Sequence, residues 1–303
     1  MERTCATDMT PSGYIAVALL AVLEGALVVL PRADALHRLG RLRSPAWAAM
    51  LPGSIVVGTF GFLALPRMAM SLVALASVAT PILSGVAAVT VVRGPRARML
   101  ASAVTLLILA ELMRGWPREL SASMVTGLGC LTLGAAIARL IPRRFMLIGV
   151  VCMCAVDVAL LSTSAGQATA AVATHSSGSI HGGRFDQAAV GPITMQYPDL
   201  VLAAVLGASV AGHPARWRAA ALVTVLTAAY GMFLPLAGAL PATVPIAITF
   251  AVLGPRRARR CSTTEGHDTQ NATKRVHVPG RPAGGAGDRL GCLGRRRAAR
   301  RSD

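Results

Sequence analysis

Residues 149–161 read GVVCMCAVDVALL and residues 195–212 read MQYPDLVLAAVLGASVAG, two apolar stretches in which Asp157 and Asp199 are the only carboxylates. A carboxylate in hydrocarbon costs several kcal/mol, about 2.5 or more depending on the scale, so such residues face a protein interior or a wet cavity. No transmembrane-length stretch separates the two, which puts them on consecutive spans, and an apolar segment opening Leu240-Pro241-Ala242-Thr243 follows at a similar distance. Two acids on consecutive helices raise the prospect of a dyad, in which a shared proton makes each the partner of the other.

The chain around these stretches has the composition of a polytopic membrane protein. Hydrophobic residues make up 54% of the 303 and charged residues 14%, with a positive mean hydropathy. Arginine and proline divide the apolar part into nine runs: 14–30, 46–65, 68–92, 99–113, 120–138, 145–162, 189–211, 219–237 and 239–253. The expected fold is all-α, a bundle of about nine transmembrane helices within residues 1–254. Several runs are shorter than the ~20 residues of a full crossing, and alanine and glycine abound, as where helices approach closely.

The net charge of +17 is carried almost wholly by arginine, Lys274 being the sole lysine, and thirteen of the thirty basic residues follow Gly254. Residues 255–303 are rich in Arg, Gly and Pro without apolar periodicity, and are expected to be a disordered tail. Its RRRAARR run suits contact with anionic lipid at the inner surface, and no nucleic-acid partner is expected. Within the bundle, the connections after spans one, three, five and seven carry 4, 3, 3 and 2 arginines, and those on the other side 1, 2, 1 and 0. The positive-inside rule then makes this an integral plasma membrane protein with its N-terminus outside and its C-terminus in the cytoplasm. A competing reading makes span one a cleaved signal peptide ending at Ala33-Asp34-Ala35, against which stand its length and the four arginines after it.

Orientation puts Asp157 near the outer end of span six and Asp199 in the outer half of span seven, with Pro241 at the outer end of span nine. Asp199, Ala203, Gly207 and Ala211 recur every four residues and share a helical face, a small-residue seam expected to meet span six. Asp199 also has a bland reading, whereas Asp157 has apolar neighbours on both sides. Tyr197-Pro198-Asp199 is ordinary helix-start chemistry, with proline at the first turn and an acid favoured by the dipole. Glu24 in span one is expected to pair with a polar group on a neighbouring helix. His175 and His181 fall in a Ser/Gly-rich stretch that reads as a solvated loop. Cys130, Cys152 and Cys154 read as small hydrophobes, since residues two apart on a helix diverge too far to grip one metal. No metal and no cofactor is expected.

Together these residues resemble the intramembrane aspartyl proteases of the presenilin and signal-peptide-peptidase class. That class has nine spans, a Tyr-Asp pair on span six, Gly-x-Gly-Asp on span seven and Pro-Ala-Leu opening span nine. The corresponding residues here are Val156-Asp157, Gln196-Tyr197-Pro198-Asp199 and Pro241-Ala242-Thr243, with Asp157–Asp199 and Asp199–Pro241 separations of 42 residues each. Valine, glutamine with proline, and threonine stand where the family has tyrosine, two glycines and leucine. The resemblance covers residues 145–253 and implies an aspartic endopeptidase, or an inactive homologue. Asp157 and Asp199 would be its catalytic pair, and Tyr197, Pro241 and Ala242 would line the substrate site. The implied substrates are single-span membrane peptides or signal-peptide remnants. The alternative from another class is a small-solute transporter whose intramembrane acids are proton or cation sites.

Overall fold

The computed structural model describes residues 11–64, 66–161, 163, 185, 187–191, 193–233 and 243–253. The expected tail, the segment with His175 and His181, and Pro241 and Ala242 lie outside the described residues. The described part contains nine α-helices: α1 (Pro11–Val29), α2 (Met50–Ala64), α3 (Pro66–Val86), α4 (Arg96–Leu112), α5 (Trp116–Leu140), α6 (Arg143–Leu161), α7 (Tyr197–Val210), α8 (Arg216–Gly231) and α9 (Thr243–Leu253). Three stretches are long and apolar enough to cross a membrane: α1, Ala74–Val91 (α3 with its π-helical continuation) and α5, while α7 and α9 are apolar but shorter.

Helix α7 is at the centre. Residues 202–207 are buried without interruption, as expected of a helix that is apolar all round. Helices α1, α5, α8 and α9 pack against it. Close approach is set by two glycines: a Cβ on Gly207 would lie 2.5 Å from the Leu27 carbonyl oxygen of α1, and one on Gly134 of α5 would lie 2.7 Å from the Val205 nitrogen. The seam on α7 therefore meets α1, and not α6 as the sequence suggested. Helix α9 packs on both α6 and α7, and a hydrogen bond between α6 and α7 runs from Ser209 Oγ to Met146 Sδ at 3.1 Å.

The periphery is apolar in the opposite sense. Val57 on α2 is 72% exposed and Leu112 on α4 is 78% exposed, and Leu75, Val78, Ile82 and Val86 make an exposed stripe on α3. An exterior of this kind is out of place in water and suits lipid.

The four arginine-rich connections gather at one end of the bundle. Arg32 N–H donates to the Val91 carbonyl at 2.8 Å and Arg93 N–H to the Leu30 carbonyl at 3.2 Å, pairing the first connection with the third. Arg93 also donates to the Ala211 carbonyl after α7. Arg139 donates to the carbonyls of Ala33 and Ala35, and Arg43 to that of Ile141 at 3.3 Å. Guanidinium groups thus satisfy carbonyls left over near helix C-termini, where cations are also favoured by the dipole.

The other end carries a departure from the expected spans. Residues 187–196, read as the start of a span from Ala189, form a hairpin of β1 (Gln187–Val190) and β2 (Ile193–Gln196), with Val190 opposite Ile193. The Gly-Pro pair at 191–192 is turn chemistry, and Gly191 takes a positive φ of 57°. Ser123 of α5 donates to the Ala189 carbonyl and accepts from its N–H, both at 3.0 Å, and Glu119 accepts from Gly191 N–H at 2.6 Å. The hairpin's outer edge is thereby satisfied by side chains, and the helix begins at Tyr197.

Candidate functional site

Asp157 projects from the last turns of α6 and is half-buried. The Thr243 hydroxyl, at the first residue of α9, donates to its Oδ2 at 3.0 Å. Thr243 is itself 1% exposed, so the contact is made inside the bundle. Tyr230 of α8 lies within electrostatic reach of the same carboxylate.

Asp199 occupies the third position of α7 and is 7% exposed. Its carboxylate accepts a hydrogen bond from the backbone N–H of Gln196. That is the reciprocal half of a capping box, in which an acid one turn into a helix reaches back to the N-cap amide. Helix-start chemistry is therefore present, as the Tyr-Pro-Asp sequence suggested. The carboxylate nevertheless lies within electrostatic range of both Asp157 and Glu24.

Of the remaining residues expected at the site, Tyr197 has its phenol in hydrogen-bonding contact with Thr80 of α3 and Cys130 of α5. The Cys130 thiol also donates to the Tyr197 carbonyl at 3.8 Å. Thr80 in turn donates to the Phe185 carbonyl at 3.1 Å. Tyr197 thus anchors the start of α7 to two neighbouring helices. The seam positions do not bring α7 against α6. The gap between them is filled by α9, whose Thr243 supplies the link to Asp157.

Sequence reasoning missed the contribution of α8. Thr224, Thr227 and Tyr230 recur every three residues in an apolar helix, a polar stripe that helical spacing makes readable. Thr224 packs on Gly25, Thr227 donates to Glu24 Oε2, and Tyr230 neighbours Asp157. Among the described residues no group of three or more His, Cys, Asp or Glu could hold a metal ion. Chemically, the site offers two carboxyl groups in mutual electrostatic range, each with one neutral donor. Comparison with protein-family models, with curated proteins and with solved structures finds no match for this chain.

Proposed function

We propose that the protein is an intramembrane aspartyl protease of the presenilin-like kind, or a descendant of one that still binds membrane segments. The observation that carries this reading is the bond from Thr243 to Asp157, with Asp199 in electrostatic range of the same carboxylate. It joins the three segments that the resemblance names: span six, the start of span seven and the opening of span nine.

In this reading α1–α9 are nine spans, with the N-terminus outside and the C-terminus in the cytoplasm of an integral plasma membrane protein. The gathering of the four arginine-rich connections at one end supports that orientation. One aspartate, ionised, acts as general base on a water held between the pair. The other, protonated, donates to the scissile carbonyl and then passes its proton to the leaving amide. The two share their protons, so apparent pKa values belong to the pair. Thr243 fixes one oxygen of Asp157 and leaves the other for the water. Pro241 and Ala242 line the substrate strand. Substrates are single-span peptides or signal-peptide remnants, locally unwound so that the cleaved bond is exposed.

Cleavage of a helical membrane peptide by the purified protein in detergent tests the reading. Asp157→Asn and Asp199→Asn should each abolish cleavage while leaving helix content unchanged, because asparagine keeps the shape and an acceptor but offers no base. Full activity in either variant would end the aspartyl mechanism.

A further inference from the structure

The core contains a third carboxyl that the peptidase reading does not use. Glu24 is fully buried in α1. Its Oε2 meets the Thr227 hydroxyl of α8, and its Oε1 has no hydrogen-bond partner among the described residues. Helices α8, α7 and α5 pack on α1, as does the hairpin. From α8 the side chain facing Glu24 is the neutral Thr227, and from α7 the charged group that acts on it is Asp199. Helix α5 turns Gly127 toward Leu23 and Leu27 on the adjoining face. The hydrogen-bonding arginines Arg32, Arg43, Arg93 and Arg139 are engaged with carbonyls at the basic end.

An ionised Glu24 in this position would combine an unpaired charge with a bare oxygen, the costliest arrangement a buried carboxyl can take. The acid form carries no charge, and its Oε2 still accepts from the Thr227 hydroxyl. Two carboxyls in electrostatic range of each other cannot both ionise cheaply.

We propose that Glu24 and Thr227 form an intramembrane proton-binding site linked to Asp199, so that the core holds negative charge at one of the two carboxyls and a proton at the other. The ligand is the proton itself. The proposal does not rest on the peptidase reading, because its readout is spectroscopic and indifferent to cleavage.

Infrared spectroscopy of the full chain, purified in detergent and titrated with acid and base, tests it. The expected result is a carbonyl band of a protonated, poorly hydrated carboxyl at neutral pH that Glu24→Gln removes. In Asp199→Asn, the pH at which this band disappears should change, since the second carboxyl able to hold the charge has been taken away. Thr227→Val, nearly isosteric, should keep the band but shift its frequency, and it assigns the band even where Glu24→Gln does not insert. A band absent at neutral pH, or one indifferent to both Glu24→Gln and Thr227→Val, overturns the site. A disappearance pH unchanged in Asp199→Asn overturns the link.

Discussion

The contact between α1 and α7 holds Glu24 near Asp199, and a single methyl group tests it. In Gly207→Ala the new Cβ would lie 2.5 Å from the Leu27 carbonyl oxygen, 2.7 Å from Val28 Cα and 2.9 Å from the Val28 carbonyl oxygen. All three are backbone atoms, so no side chain can rotate away. Restoring a carbon–oxygen separation of about 3.3 Å requires the helices to part by roughly 0.8 Å. Overpacking of this kind costs about 1–3 kcal/mol, and the gain in helix propensity on replacing glycine returns roughly 0.5–1. With rigid obstruction at three points, the upper part of the range applies, for a net loss of about 2 kcal/mol. Gly58→Ala on α2 is the control, because its Cβ meets nothing within 4 Å, and only the propensity gain remains. The two variants should differ by about 2–3 kcal/mol in reversible unfolding by a denaturing detergent, followed by circular dichroism. Equal stability of Gly207→Ala and Gly58→Ala would mean that α1 and α7 do not touch along this face, and the Glu24–Asp199 neighbourhood would fall with it.

Thr243→Val removes the donor to Asp157 at nearly constant volume, and should slow cleavage severalfold at unchanged substrate affinity. Thr243→Ser should restore the rate, and equal rates in all three proteins would make the hydroxyl irrelevant. Reporter fusions that distinguish cytoplasmic from exported positions should place the Arg93–Arg98 connection in the cytoplasm and the hairpin outside; an exported connection at that point would invert the assigned topology. Glu119→Gln should cost well under 1 kcal/mol, because its bond to Gly191 N–H is exposed. A large loss of stability there would show that the hairpin is more than a solvent-side cover.

The apolar runs were legible because burial in lipid or in the bundle both demand apolar residues, and the described helices start and stop within a few residues of most of them. The arginine alternation has a structural counterpart: guanidinium groups of those connections bond carbonyls near helix C-termini, which gathers the connections together. Neighbour relations were not legible. A four-residue seam on α7 says that some backbone comes close, and says nothing of which one, since α1, α5 and α6 all offer small residues. The hairpin was hidden because Ala188, Ala189 and Val190 suit a strand as well as a helix, and only Gly191-Pro192 marked the turn. The site was half legible. Isolated acids stand out in apolar sequence, whereas Thr227 and Thr243 are hydroxyl residues of a kind found on most helices of this chain.

The cap on α7 and the proposed dyad make separate demands on Asp199, and the geometry lets them coexist. A carboxylate has two oxygens with about four lone-pair sites, and the Gln196 N–H uses one of them. Pro198, at the second position of the helix, has no N–H, so it cannot compete for the rest. Proline at this position therefore leaves the acid more acceptor capacity, and it fixes the backbone from which the acid projects. A carboxylate held by a helix start is more rigidly aimed than one on a loop, which is what chemistry between two acids needs. The roles separate by substitution. Asparagine at 199 keeps an acceptor for the Gln196 N–H and loses only the titratable group, so fold persists and any acid–base chemistry stops. Alanine loses both, and should cost an additional 0.5–2 kcal/mol or so of stability, the usual worth of a cap. Were Asp199 a cap alone, asparagine would be silent in every assay, and the case for a site would pass to Glu24 and Asp157 on their own.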